Sequence, residues 1–255
     1  MDLLHLTSSD TSVTFHPSIE DLWSLDTIGI RDSPHITQDD LTIQHFMRKI
    51  RYTDGRYQVR WSRKEGPACL LPDNFSLAFG RMKSPARRFV ENLPLLQQYD
   101  SVIKQQVAAG IIEKVPTPSA GTQVRYLPHQ PVITLQKTTT KLRIVYDASA
   151  KVSKAGTSLN QCLCRGPLLL PNLCGILLCF RLSPIVVLAD IGKAFLQVSL
   201  HPEDRDVTRF LCYQDTRTPD RLTGNLDVYR FCRVPFGVVS SPCLLQATIQ
   251  HHLQQ

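Results

Sequence analysis

Residues 185–200 read IVVLADIGKAFLQVSL, and this stretch decides how the rest of the chain is interpreted. The apolar run 185–189 predicts a strand buried on both faces, and 195–200 predicts a second, half-buried run. Asp190 ends the first run, where a carboxylate is costly unless a cation meets it. Taken alone, Asp190 is explained more simply as a turn or cap residue before Gly192. Its neighbours in sequence decide between the two roles.

Two further motifs flank this stretch. KLRIVYDAS at 141–149, followed by Ser158, Leu159 and Asn160, precedes it, and VPFGVVSSP at 234–242 follows it. Apolar residues alternate with polar ones at 132–136 and 142–146, which predicts two short strands around a basic hairpin tip at 137–141.

The rest of the chain predicts a mixture of helices and short strands. Strands are expected at 55–61, 207–213 and 226–234, with a polar loop at 214–225. Helices are expected at 19–25, at 37–51 with Thr37 as N-cap, from Ser84-Pro85, from Asn92 to Gly110, at 171–182, and from Ser241-Pro242 with Leu245, Ile249 and Leu253 on one face. Helices mixed with antiparallel hairpins favour an α+β fold over alternating βαβ units.

Charge divides the chain into an acidic leader and a basic body. Residues 1–46 contain eight acidic residues and one arginine, yet the whole chain has a net charge of +7. A basic body attracts polyanions, of which nucleic acid is the commonest large one, although a solvated basic surface is the plain alternative.

Composition excludes several classes of protein. No apolar run approaches the ~20 residues of a membrane helix, and residues 1–10 lack the basic start of a signal peptide, so a soluble intracellular protein without a membrane partner is expected. The eight cysteines are expected to be buried free thiols. A zinc site at Cys162, Cys164, Cys174 and Cys179 is a weaker alternative, because the spacing departs from known zinc motifs.

The three motifs in this order resemble reverse transcriptases, specifically the polymerase region of BEL/Pao-type long-terminal-repeat retrotransposons. The resemblance extends from about residue 55 to residue 255. It implies a partial right-hand polymerase, with fingers at about 55–165 and 201–239 and an incomplete palm at about 166–200 and 240–255. Residues 1–54 are then an acidic N-terminal connector or tether.

The resemblance also implies roles for single residues in two-metal nucleotidyl transfer. Asp190 would be the catalytic carboxylate that holds Mg²⁺ or Mn²⁺, with the backbone carbonyl of Ile191 as a further metal ligand. Phe195 would lie under the sugar and leave no room for a 2′-hydroxyl. The implied nucleotide-binding positions are Lys137, Arg143, Ile191, Ala194, Phe195 and Gly237, and the implied template-contacting positions are Asp147, Asn160, Phe236 and Pro242. The implied partners are an RNA or DNA template with its primer, and deoxynucleoside triphosphates.

Three features depart from the family pattern. Phe236 stands where retroviral enzymes carry glutamine, and Lys193 stands where they carry an acid. The Tyr-x-Asp-Asp motif is missing, since the one Asp-Asp pair, Asp39-Asp40, precedes the fingers. We therefore expect a polymerase fragment that is truncated before this motif, inactive alone, and able to associate with the remaining polymerase segments.

Three functional interpretations remain open at this point. The chain is a fragment of an RNA-directed DNA polymerase, a basic module that binds nucleic acid without chemistry, or an interaction protein that pairs with another chain.

Overall fold

The computed structural model describes residues 37–66, 69–115, 123–133, 142–214 and 226–255, with the backbone alone for 84–91. Thr37–Gln255 form one unit, and the predicted 54/55 boundary falls in the turn of its first hairpin. The predicted helix at 19–25, the hairpin tip 137–141 and most of the loop 214–225 lie outside the described residues. Among the described residues, no helix is long and apolar enough to cross a membrane.

Helices and strands are mixed along the chain, as the predicted α+β class requires. The helices are α1 (Gln38–Lys49), α2 (Phe75–Glu91), α3 (Leu93–Ala108), α4 (Leu159–Cys162), α5 (Leu173–Leu182), α6 (Ala194–Gln197) and α7 (Ser241–Leu253), with a 3-10 helix at Pro202–Thr208. The strands are β1 (Arg51–Thr53), β2 (Arg56–Val59), β3 (Ile112–Lys114), β4 (His129–Ile133), β5 (Leu142–Tyr146), β6 (Ser199–Leu200), β7 (Arg209–Tyr213) and β8 (Leu226–Phe231).

The described strands form three small sheets. The first has the order β1-β2-β6, with β2 and β6 parallel. The second has the order β3-β8-β7 and is antiparallel throughout. The third is the predicted hairpin of β4 and β5, in which Val132 pairs with Arg143. One apolar core packs against all three sheets, and Leu200, Phe210 and Val234 are its most deeply buried members.

Local capping signals place two helices where the sequence predicts them. Thr37 and Asp40 form a capping box at the start of α1, and the Asn92 side chain accepts a hydrogen bond from the Leu95 amide at the start of α3. The apolar α3 residues Leu96, Tyr99 and Ile103 are buried, whereas Val107, at the same helical spacing, is 41% exposed.

The predicted helix start at Ser84-Pro85 is wrong. The helix α2 begins at Phe75, whose amide donates to Asp73 Oδ1, and it continues through residue 85. An interior proline removes one backbone hydrogen bond. The helix persists because Ala78 and Met82 pack against Leu211 and Tyr213.

The predicted buried strand at 185–189 is also wrong. These residues have no strand partner within the described chain, and Leu188 is 86% exposed. A strand needs a hydrogen-bonded neighbour and a face to cover it, and the described residues supply neither here. The following run, 195–200, divides into α6 and β6.

The buried face of α7 differs from the predicted one. Cys243, Leu244, Ala247 and Thr248 are buried, whereas Leu253 is 78% exposed. Cys243 packs against Gly166, where a Cβ atom would come within 2.4 Å of the thiol sulfur. All eight cysteines are free thiols, but Cys174 and Cys179, which were predicted buried, are exposed on α5.

Candidate active site

Asn160 connects the two motifs that flank residues 185–200. Its Nδ2 atom donates to Ser149 Oγ at 2.8 Å and to the Gly237 carbonyl at 3.1 Å. Its Oδ1 atom accepts from the Val239 amide at 2.9 Å, and its own amide donates to the Ala148 carbonyl. We call this connection of α4 with loops 147–149 and 235–240 the Asn160 frame. Each side-chain amide atom of Asn160 is therefore engaged, which fixes the side chain in one orientation.

Gly237 lies against the end of β5, at a position where no larger residue fits. Its φ is +86°, and a Cβ atom would lie 2.7 Å from the Tyr146 carbonyl oxygen. Both the left-handed backbone and the close approach require glycine. The resemblance implies a nucleotide-binding role for Gly237, but the close approach seen here is to Tyr146.

Asp147 is held beside the frame by α2. Its carboxylate forms an ion pair with Arg81 at 2.5 Å and accepts a hydrogen bond from the Ser149 amide. Both side chains of the pair are more than 40% exposed. The pair therefore contributes little to stability, but it fixes the Asp147 side chain at the surface.

Phe195 and Phe236, two predicted site residues on distant segments, are in contact. Their ring centroids are 4.7 Å apart in an edge-to-face arrangement. Phe195 packs partly against the core, whereas Phe236 is 55% exposed. The α6 helix follows Lys193, which has a left-handed φ of +53° and directs the chain into this contact. The exposed edge of the pair can stack on a planar ligand.

The start of α7 is tied to the same loop by two serines. Ser241 Oγ donates to the Pro235 carbonyl at 2.7 Å, and Ser240 Oγ donates to the Cys164 carbonyl at 2.6 Å. Pro242 occupies the first turn of the helix and is exposed. These bonds hold the 235–240 loop rigidly between β8 and α7.

Arg143 projects from the hairpin away from the core. In β5, Leu142 and Tyr146 are buried and Arg143 is exposed. His129 of β4 lies beneath the hairpin, with its ring 5.4 Å from Tyr146 and 5.6 Å from Phe210. Burial lowers the pKa of His129 to about 4. The imidazole is therefore neutral at pH 7, whereas Arg143, which pairs with Val132 of β4, places its guanidinium at an exposed position.

Asp190 and Ile191 lie in an exposed irregular segment that precedes α6. Within the described residues, Asp190 makes no hydrogen bond or ion pair. Ala194 is half-buried at the first position of α6, and Lys137 lies outside the described residues. The structure thus brings together Asp147, Asn160, Phe195, Phe236, Gly237 and Pro242. Across the described chain, neither Asp190 nor Arg143 forms a hydrogen bond or ion pair with this group.

The described residues do not fit the two-metal centre that the resemblance implies. No group of three or more histidine, cysteine, aspartate or glutamate side chains in these segments could hold a metal ion. Asp190 therefore supplies a single carboxylate where a pair of divalent ions needs several oxygen ligands.

Arg81 and Ser149 belong to the site but were not predicted. Ser149 lies within the quoted motif 141–149, so its closeness to Asn160 could have been suspected. No signal in the sequence points to Arg81, because 66 residues separate it from its partner Asp147.

No curated protein matches the chain. Residues 137–255 match the family model of reverse transcriptase (RNA-dependent DNA polymerase), and that match covers every site residue predicted from the sequence.

Proposed function

We propose that this chain is part of an RNA-directed DNA polymerase of a BEL/Pao-type retrotransposon. The observation that carries the proposal is the Asn160 frame, in which two sequence motifs of the matched region are hydrogen-bonded to each other. Residues 55–165 and 201–239 are proposed as fingers, and 166–200 and 240–255 as palm.

The frame supports binding of template and nucleotide. Phe236 is exposed on the fixed 235–240 loop, a position that suits stacking on a base. Arg143 is exposed on the hairpin, where a guanidinium can form charge-assisted hydrogen bonds with phosphate. Phe195 lies behind Phe236 and forms an aromatic wall that we propose excludes a 2′-hydroxyl.

We further propose that residues 1–255 bind primer and template but do not extend the primer alone. The support is the single carboxylate at Asp190 and the lack of any three-ligand cluster in the described residues. A divalent ion would need oxygen ligands beyond those that this part of the chain provides.

Binding is tested by fluorescence anisotropy with a labelled primer-template across a salt series. Phosphate contacts release counterions, so we expect affinity to fall at least tenfold between about 50 and 200 mM salt. Phe236→Ala and Arg143→Gln should each weaken binding several-fold, whereas Lys154→Gln, at an exposed loop position, should not. Affinity that is independent of salt, or equal losses in all three variants, would contradict the proposed surface.

Inactivity is tested by primer extension with Mg²⁺ or Mn²⁺. We expect no product above that of the Asp190→Asn variant. Extension by the unmodified chain that the variant lacks would overturn this part of the proposal and would establish Asp190 as catalytic.

A second candidate function rests on the exposed apolar segment at 173–191. None of the residues in α5 is buried, and Ile185 and Val187 are each 83% exposed. Apolar patches of this kind mark interaction surfaces. Here we propose association with another polypeptide that carries polymerase segments. Sedimentation velocity that shows only monomer, alone and with such segments, would count against it.

A further inference from the structure

A small basic pocket lies apart from the Asn160 frame. It has a volume of about 250 Å³ and lies between the β1-β2 turn, β6, the 3-10 helix and the chain after β8. Three arginines line it, Arg56, Arg205 and Arg233, together with Ser199 and the turn residue Asp54. Three guanidinium groups around one cavity repel one another unless acidic groups balance their charge.

Two of the three arginines are bound to neutral groups. Arg56 Nη1 donates to Gln197 Oε1 at 2.7 Å, and Arg233 Nη1 donates to Ser199 Oγ. Arg205 is paired with Glu113 at 3.2 Å, and it also donates to the Leu200 carbonyl. Among the described residues, neither Arg56 nor Arg233 forms an ion pair.

The nearby acids neutralise this positive charge only in part. Glu113 is shared between Arg205 and Arg230, the latter at 2.7 Å. Asp54 lines the pocket but forms no ion pair within the described chain. Burial, followed by the positive charges of Arg56 and Arg205, lowers the pKa of Arg233. The pocket therefore holds an excess of positive charge that a bound anion would relieve.

The backbone fixes the arginines before any ligand arrives. Gln58 of β2 pairs with Ser199 of β6, and Ser199 forms a bridge with Arg233. The Leu200 amide donates to the Cys232 carbonyl at 2.8 Å, and the Val234 amide donates to the Val198 carbonyl at 3.0 Å. A preformed cluster of guanidinium groups in a partly closed cavity is the arrangement that recognises a tetrahedral oxyanion.

We propose that the pocket formed by Arg56, Arg205 and Arg233 binds a phosphate group, carried either by a nucleic-acid backbone or by free phosphate. This site is separate from the Asn160 frame, and the inference does not depend on the proposed polymerase function.

Thermal unfolding of the full chain tests the proposal, with inorganic phosphate compared against chloride at equal ionic strength. Phosphate should raise the Tm of the wild type in a saturable manner, because it binds the folded state. In Arg233→Gln the apparent affinity for phosphate should fall about tenfold, since a charge-assisted contact is lost. Arg48→Gln, which removes an exposed arginine of α1, should respond like the wild type.

The anion response separates this role from a structural one. If Arg233 served only to bind Ser199, Arg233→Gln would lower the Tm equally in phosphate and in chloride, and the proposal would be overturned. Arg56→Gln gives the same comparison should Arg233→Gln fail to fold. Identical phosphate responses in the wild type and the folded pocket variant would also overturn it.

A second measurement distinguishes the two phosphate sources. A labelled single-stranded oligonucleotide is titrated against the wild type and Arg233→Gln. Weaker oligonucleotide binding together with the lost phosphate response assigns the pocket to the nucleic-acid backbone. Unchanged oligonucleotide binding with the lost phosphate response assigns it to free phosphate.

Discussion

Asn160 holds Gly237 against the end of β5, with its Nδ2 atom 3.1 Å from the Gly237 carbonyl oxygen. The two residues are 77 positions apart in sequence, and with the bond from the Val239 amide to Asn160 Oδ1 this contact fixes the 235–240 loop relative to α4. The loop carries Phe236 and leads into α7. The position of the aromatic pair therefore depends on a side-chain amide and a glycine.

Replacing Gly237 with alanine should destabilise the fold and misplace Phe236. The left-handed φ costs about 1 to 2 kcal/mol for a residue with a Cβ atom, and the 2.7 Å approach to Tyr146 adds a backbone clash. We expect a loss of at least about 2 kcal/mol in urea unfolding. Gly80→Ala is the control, because Gly80 lies within α2 with nothing near its Cβ position, and it should be neutral or stabilising. Equal effects of the two substitutions would contradict the role of Gly237.

Replacing Asn160 with alanine should loosen the frame. Three side-chain hydrogen bonds are lost at about 1 kcal/mol each, and water can compensate in part because the site is only half-buried. We expect a loss of about 2 kcal/mol in the free energy of unfolding. Asn160→Asp keeps the acceptor for the Val239 amide but loses both donated hydrogen bonds. Its free energy of unfolding should therefore lie between those of the wild type and Asn160→Ala. A variant as stable as the wild type would show that the frame is not rigid.

Elements with local signals could be predicted from the sequence. Thr37 and Asn92 are capping residues that mark where their helices begin, and the alternation around residues 132 and 142 predicts the hairpin. These signals act within a few residues of the chain. They do not depend on where distant segments lie.

Features that depend on distant partners could not be predicted. The run 185–189 has the composition of a buried strand, but strand formation needs a neighbour that the described residues do not supply. Cys243 of α7 is buried against Gly166, a contact between distant segments that the periodicity of α7 cannot reveal. Asn160 was identified as a site residue, but its bonds to Ser149, Gly237 and Val239 required the fold.

His129 should make stability fall at acidic pH. Its folded pKa of about 4 lies below the ordinary value of 6.5. The unfolded chain therefore binds a proton first, so this contribution to stability is complete above about pH 6.5 and is lost as the pH falls towards 4, by at most about 1.4 kcal/mol per pH unit. His129→Gln keeps a donor for the Leu211 carbonyl and removes this titration. The difference in unfolding free energy between wild type and variant should slope across this range, and a flat difference would contradict the burial of a neutral imidazole.

Polar substitutions in the exposed apolar segment should reduce self-association without lowering the free energy of unfolding. Leu188 is 86% exposed, so Leu188→Gln should change the free energy of unfolding by less than about 0.5 kcal/mol. Leu200 is completely buried, and Leu200→Gln should cost more than about 3 kcal/mol because it loses core packing and buries an amide. Self-association in sedimentation velocity, and binding of an apolar dye, should both decrease in Leu188→Gln, since the substitution removes apolar surface from a patch that nothing in the described chain covers. A large loss of stability in Leu188→Gln would show instead that this segment is buried in solution, and the association surface proposed for residues 173–191 would then be wrong.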